Sequence, residues 1–240
     1  MEKELNSFSR GLRDGIPICL GYLSVAFAFG IFTVGHGLTI WEAVMISMTN
    51  VTSAGQLAAV PIIAGGGSLF ELALTQFVIN MRYSLMSVSL SQRLSKSVRL
   101  LDRFLISFVN TDEVFAVAIS KNAPLGRKYL YGLTLTPYLG WSAGTLLGSA
   151  AGNILPATVV SALGIAIYGM FIAIIVPPAK KSLPTLLCVL SAIALSCAFK
   201  FIPMLSKVPS GFAIIICAVA ASALFAWIAP VETQDDPSGS

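Results

Sequence analysis

The feature that most limits the fold is a run of 51 consecutive uncharged residues, from Tyr129 to Ala179. A helix that crosses a bilayer needs about 20 apolar residues, so this run is long enough for two crossings. Only 11% of the 240 residues are charged and the mean hydropathy is +0.84. So few charges cannot cover the surface of a soluble domain, and so apolar a chain is not intrinsically disordered. The sequence therefore predicts a polytopic membrane protein.

Eight apolar segments follow one another, with short connections between them. Lipid offers no partner to an unpaired backbone group, so each segment is expected to be helical and the fold class all-α. We predict about seven transmembrane helices, with a range of six to eight. They form a single transport domain over 1–230, followed by a polar acidic tail at 231–240. The segments are 16–35, 41–64, 69–91, 104–120, 129–151, 156–178, 184–200 and 209–229.

Segment 104–120 is unusual, because 17 residues barely span the hydrocarbon at about 1.5 Å per residue. Its centre, 110–113, holds four consecutive polar residues, which no single helix face can carry. Either the backbone unwinds there, or the segment is re-entrant and returns to the side from which it came. Basic residues on both sides favour the re-entrant form, since Lys and Arg concentrate in cytoplasmic loops. They are Arg93, Lys96, Arg99, Arg103, Lys121, Arg127 and Lys128.

The orientation of the N-terminus stays open. If 104–120 does not cross, counting back from the basic clusters puts the N-terminus outside the cell. Lys3, Arg10 and Arg13 argue against that, because basic residues favour the cytoplasmic side. A broken second segment, 41–64, that also fails to cross would remove the conflict.

A faint repeat relates the two halves of the chain. Gly11-Leu12 and Pro17 resemble Gly132-Leu133 and Pro137, about 120 residues later. Such repetition fits a 3+3 internal repeat, which many secondary transporters contain.

Four glycines spaced by four residues give segment 129–151 one smooth face. Small residues at this spacing allow close helix packing, either within the chain or against a partner chain. The four are Gly140, Gly144, Gly148 and Gly152.

Polar side chains also form stripes on two segments. A continuous helix over 41–64 would place a polar stripe within about 100°, and it includes the amide of Gln56, which needs several partners when buried. Gly55 lies within the sequence span of that stripe, where it lets other groups approach the backbone. The alternative is that these side chains only bond their own helix or a neighbouring one. The stripe is Glu42, Thr49, Thr52, Ser53 and Gln56.

Segment 69–91 carries two polar faces. One face holds Gln76, Asn80, Tyr83 and Ser87, and the other holds Glu71, Thr75 and Arg82.

Arg82 is costly in mid-membrane, by at least a few kcal/mol, and this cost indicates a role. Its guanidinium can bind a carboxylate with two hydrogen bonds. Alternatively it forms a structural ion pair with Asp112 or Glu113, and both uses are compatible if the pair breaks during transport. Two adjacent carboxylates resist joint ionisation, so the group Thr111-Asp112-Glu113 can carry a proton. The alternative is that these acids lie in water at the membrane surface.

These motifs resemble the AzlC family of branched-chain amino acid permeases. The resemblance covers about residues 10–228 and is most specific at NMRYSLM (80–86) and TDEVF (111–115), with GLRDGIP (11–17) and AGQLA (54–58) also alike. It implies the large subunit of an exporter of valine, leucine and isoleucine, and sometimes methionine, in the bacterial inner membrane. It also implies a small membrane partner of the AzlD type.

The resulting hypothesis is a proton-linked exporter of neutral branched-chain amino acids. Arg82 would bind the substrate carboxylate, and Asp112 or Glu113, beside Thr111, would bind the substrate ammonium or a proton. The residues expected to line the cavity are Gly55, Gln56, Asn80 and Tyr83.

Other classes of activity fit the sequence less well. The chain has no GxxxxGK[ST] motif, so an ion gradient or a partner must supply the energy. A single histidine, His36, and no GxSxG motif argue against an enzyme, and we expect no metal, cofactor or nucleic acid. A transporter or channel for another small solute is the main alternative.

Overall fold

The computed structural model describes residues 4–152, 154–156, 158, 169, 172 and 175–229. The regular secondary structure of the described residues is helical, with only two isolated backbone bridges beside it, so the predicted all-α class is confirmed. They fall into two compact units, Met1–Met170 and Phe171–Ser240. Most of segment 156–178 and the tail 231–240 lie outside the described residues. The helices are α1 (Phe8–Gly35), α2 (Ile40–Thr49), α3 (Ser53–Ala64), α4 (Leu69–Ser91), α5 (Leu100–Phe108), α6 (Asp112–Ile119), α7 (Arg127–Gly152), α8 (Leu183–Phe201) and α9 (Ser210–Ile228).

Helices α1 and α7 pack backbone against backbone along a seam of glycines. A Cβ added to Gly140 would collide with Cys19, and one added to Gly148 would collide with the carbonyl of Phe27. Contacts advance in the same direction along both helices, so α1 and α7 run parallel. Gly144 and Gly152 face α1 in the same way. The glycine face therefore packs within the chain.

Two glycines that the predicted repeat makes equivalent meet in this seam. A Cβ on Gly11 would contact the backbone of Gly132, and a Cβ on Gly132 would contact the backbone of Gly11. The 3+3 repeat itself stays a prediction.

Three connecting segments, 4–7, 93–97 and 122–128, meet at one end of the first unit. The amide of Leu5 donates to the carbonyl of Pro124 at 2.9 Å, and the amide of Leu125 donates to that of Arg93 at 2.8 Å. The hydroxyls of Ser97 and Ser95 donate to Glu4 and hold the pKa of its carboxyl below the usual value. We call this the basic end, because the basic residues between Arg93 and Lys128 flank these segments.

Helices α5 and α6 form a hairpin that enters from the basic end and returns to it. The start of α5 is tied there, where the Tyr131 hydroxyl donates to Asp102 at 2.6 Å. The end of α6 is tied there as well, because Lys121 pairs with Asp14 at 2.7 Å. The chain turns at 109–111, the second tip. Of the two arrangements left open for 104–120, the structure has the re-entrant one.

Helices α2 and α3 form a second hairpin, from the opposite end. The 23 residues of α4 extend about 34 Å away from the basic end, so the α3–α4 connection lies at the far end, as does the α1–α2 connection. The chain turns at 50–52, the first tip. Predicting one continuous helix over 41–64 was therefore wrong, and so was its single polar stripe. Glu42 instead closes a capping box with Thr39 at the start of α2.

The second unit contains the paired helices α8 and α9. Each has 19 residues, and the Ser182 hydroxyl caps the start of α8. By length and composition, three of the described helices can cross a membrane: α1, α8 and α9. Helices α4 and α7 have the length but are more polar, because they carry the site residues and the glycine seam.

Candidate substrate site

The two hairpin tips meet beside the middle of α4 and enclose a cavity of about 200 Å³. We call it the tip cavity. Ligand pockets commonly measure about 300–1,000 Å³, so this one suits a smaller solute. Its lining is neutral and polar, apart from the side chains of Val51 and Phe108. The lining residues are Thr49, Asn50, Val51, Thr52, Asn80, Tyr83, Ser107, Phe108, Asn110 and Thr111.

Four helix ends point at the tip cavity. Helices α3 and α6 begin there, with Thr52 and Thr111 as their N-cap residues, and α2 and α5 end there. Helix starts carry partial positive charge and helix ends partial negative charge. Broken helices in secondary transporters use such ends to hold charged groups of the substrate.

Gln76 on α4 holds the first tip in place. Its amide nitrogen donates to the carbonyl of Gly55 at 2.8 Å, and its amide oxygen accepts from Asn50 at 2.8 Å and from Asn80 at 3.2 Å. A Cβ on Gly55 would lie 2.6 Å from that amide oxygen. Gly55 therefore lets a side chain of α4 reach the backbone of α3.

The predicted polar face of α4 points to both tips, as three of its four members show. Gln76 binds the first tip, as does Tyr83, whose hydroxyl donates to Thr52 at 3.4 Å. The second tip is held by Ser87, which accepts from the amide nitrogen of Asn110 at 3.1 Å. The sequence placed Asn110 in the polar centre of segment 104–120, directly before the Thr111-Asp112-Glu113 motif, but not among the predicted site residues.

Arg82 pairs with the first residue of α6. Its guanidinium lies 2.8 Å from the carboxylate of Asp112, and the two side chains are 52% and 47% exposed. The same guanidinium donates to the hydroxyl of Tyr83 at 2.9 Å. The pair is therefore only half covered by the protein.

Glu113 is bound by Tyr22 from the middle of α1. The Tyr22 hydroxyl contacts the Glu113 carboxylate and also lies 2.6 Å from the hydroxyl of Thr111. Trp141 packs edge-on against the Tyr22 ring, with ring centroids 4.9 Å apart. No local sequence pattern links Tyr22 to Glu113.

Gln56 belongs to α3, and its side chain lies behind the cavity wall and points toward α7. It is 1% exposed, and its amide oxygen accepts from Trp141 and from Ser47, each at 3.3 Å. Ser47 in turn lies 2.6 Å from the hydroxyl of Thr145. These contacts anchor the first hairpin to α7. The substrate-binding role given to Gln56 stays a prediction.

Sequence comparison gives the family. The family described as AzlC protein matches residues 17–155, more than half of the chain. "Inner membrane protein YgaZ" of Escherichia coli strain K12 is 30% identical over 195 residues, 78% of each chain.

A second relative comes from another organism. An "Uncharacterized membrane protein" of Archaeoglobus fulgidus is 33% identical over 175 residues, 72% of this chain and 76% of that one. No solved structure matches. The matched region contains α2 to α6, both hairpin tips and most of the glycine seam. The chain is therefore a member of the AzlC family of membrane proteins.

Proposed function

We propose that this protein is a secondary transporter that exports neutral branched-chain amino acids. In this proposal it is the large subunit, works with a small membrane partner of the AzlD type, and couples export to protons. The observation that carries the proposal is the tip cavity: a small, neutral, polar space between two hairpins that enter from opposite ends of the helix bundle.

The lining of the tip cavity supports a small zwitterion with an apolar side chain. Val51 and Phe108 supply apolar surface, and the polar lining supplies hydrogen-bond partners. Arg82 lies beside the cavity, next to Tyr83, and a guanidinium can bind a carboxylate with two hydrogen bonds.

The ion pair supports coupling between substrate and proton. When the substrate carboxylate takes the place of Asp112 on Arg82, Asp112 loses its positive partner. A carboxylate without a partner in an apolar setting favours its neutral form, so Asp112 takes up a proton. The substrate carboxylate and Asp112 thus compete for Arg82, which links substrate binding to the protonation of Asp112.

The opposed hairpins support alternating access. Helices α5 and α6 separate the cavity from the basic end, and α2 and α3 separate it from the far end. Moving one hairpin at a time would open the cavity to one side only. Re-entrant segments are tolerated in a membrane where they line such a cavity.

Counterflow in lipid vesicles tests the proposal. Vesicles with purified protein and its partner are loaded with unlabelled valine, and uptake of labelled valine is measured. We expect uptake that saturates with valine concentration and responds to a pH gradient, and competition by leucine and isoleucine. Uptake that never saturates, or conductance without exchange, would indicate a channel and contradict the proposal.

A further inference from the structure

Two buried amide oxygens at the tip cavity have no hydrogen-bond partner. In the described part of the chain, the buried side-chain atoms without one are Thr75 Oγ1, Asn80 Oδ1 and Asn110 Oδ1. Asn80 and Asn110 line the cavity, and Asn110 is only 2% exposed. An unpaired buried acceptor costs free energy, so a donor that reached both oxygens would lower it. In the structure both oxygens are closed to water, so an occupant of the cavity reaches them only when the lining shifts.

The hydrogen-bond network sets the orientation of the Asn80 amide. The carbonyl of Gly55 can only accept, so Gln76 must turn its amide nitrogen toward it. The oxygen of Gln76 then accepts from the amide nitrogen of Asn80. The oxygen of Asn80 is therefore the atom left over.

The nearby carboxylates already have partners. Asp112 is paired with Arg82, and Glu113 is bound by Tyr22. The sequence-based hypothesis gave the substrate ammonium to one of these acids. In the structure, the acceptors that stand unused are the two amides. The ends of α2 and α5, with their partial negative charge, also lie at this cavity.

We propose that the amide oxygens of Asn80 and Asn110 bind the ammonium group of the transported amino acid. An ammonium group has three N–H donors, enough for both oxygens and one further acceptor. With the carboxylate on Arg82, the zwitterion then lies between α4 and the second tip, and its side chain is free to contact Val51 and Phe108. This assignment rests on the proposed function and makes it specific.

The test compares valine with its 2-hydroxy acid analogue, in which a hydroxyl replaces the ammonium group. Both compete against labelled valine in the counterflow assay, for the wild type and for Asn80→Leu and Asn110→Leu. Asn122→Leu is the matched control, because Asn122 is exposed at the basic end. The variants should weaken competition by valine at least tenfold and change competition by the hydroxy acid less than twofold. The control should leave both unchanged.

Three results would overturn the assignment. Equal weakening of both competitors would mean general damage to the cavity, and no weakening would mean that the amides do not bind substrate. If the Asn80→Leu and Asn110→Leu proteins regain their affinity for valine when sodium replaces potassium in the buffer, the amides bind a sodium ion and not the substrate. Absence of valine exchange in the wild type is a different result, because it rejects the proposed function itself.

Discussion

At the scale of single residues, the pair of Arg82 and Asp112 links two elements that would move apart if the second hairpin opens. Arg82 belongs to α4, a long helix, and Asp112 begins the short α6 behind the second tip. Their contact lies beside the tip cavity and leaves both groups half exposed. The guanidinium of Arg82 can therefore hold α6 against α4 in one state and bind the substrate carboxylate in another.

Variants that neutralise Arg82 and Asp112 distinguish a structural role of the pair from a role in substrate binding. We expect Arg82→Ala and Asp112→Asn each to abolish valine exchange while the protein still inserts and binds its partner. The double variant Arg82→Gln with Asp112→Asn restores charge balance, so it should be well folded yet still inactive. The measurements are the yield of folded protein and the counterflow rate.

A pair at the basic end provides the control. Lys121 and Asp14 are as close as Arg82 and Asp112, but they lie away from the cavity. Lys121→Gln with Asp14→Asn should keep valine exchange within a few-fold of the wild type. Recovery of exchange in the double variant at Arg82 and Asp112 would mean that the pair is structural only.

Gln56 is expected to matter for stability. Replacing it with Met leaves the indole N–H of Trp141 and the hydroxyl of Ser47 without their shared acceptor, which costs about 1–3 kcal/mol. The melting temperature in detergent should fall, and the apparent KM for valine should change less than twofold. Gln76→Met is the comparison, and it should raise KM because Gln76 orients Asn80. A large rise in KM for the Gln56 variant would instead support the predicted role of Gln56 in substrate binding.

The sequence predicted some of the contacts at the candidate site but not all of them. The periodicity of a helix was enough to put Gln76, Asn80, Tyr83 and Ser87 on one face, and an ion pair of Arg82 with Asp112 was one of the expected alternatives. The partner of Glu113 required the tertiary fold, because Tyr22 lies about 90 residues away along the chain. Asn110 became a candidate only when its unpaired oxygen was seen.

At the scale of elements, the two hairpin breaks differ in how visible they are in the sequence. Four consecutive polar residues in a short segment indicated the turn at 109–111. The turn at 50–52 has a single valine between Asn50 and Thr52, and the surrounding polar residues also fit a continuous amphipathic helix. The side chains of α4 that hold this tip compensate for its broken helix hydrogen bonds, and they are far away in sequence.

The glycine seam makes a prediction about packing. Gly148→Ala would place a methyl group on the carbonyl of Phe27, so α1 and α7 must separate along the seam. We expect a marked loss of folded protein, measured by size-exclusion chromatography and thermal unfolding. Gly21→Ala is the matched control, since a Cβ there meets nothing within 4 Å. Equal stability of the two variants would contradict the observed seam.

At the scale of the whole molecule, the hairpins resolve the orientation that the charges left open. Because neither α2–α3 nor α5–α6 crosses, the N-terminus and the basic clusters lie at the same end. Because Lys and Arg favour the cytoplasmic side, we expect the basic end to face the inside of the cell.

Labelling of single cysteines checks this orientation. In a variant without Cys19, Cys188, Cys197 and Cys217, one cysteine is introduced at Asn122 or at His36, both of which are exposed. In intact cells, a membrane-impermeant maleimide should label the His36→Cys protein and spare the Asn122→Cys protein. Both should react after the cells are broken. The reverse pattern would place the basic end outside.

The parallel pairing of α1 with α7 also governs the order of assembly. The two helices touch at every turn, yet about 120 residues of chain separate the contacting positions. At a synthesis rate of about 5–20 residues per second, α1 waits roughly 6–24 s for its partner to be made. During that time its packing groove is covered only by lipid or by another protein. Helix α1 therefore completes its packing only after α7 has been made.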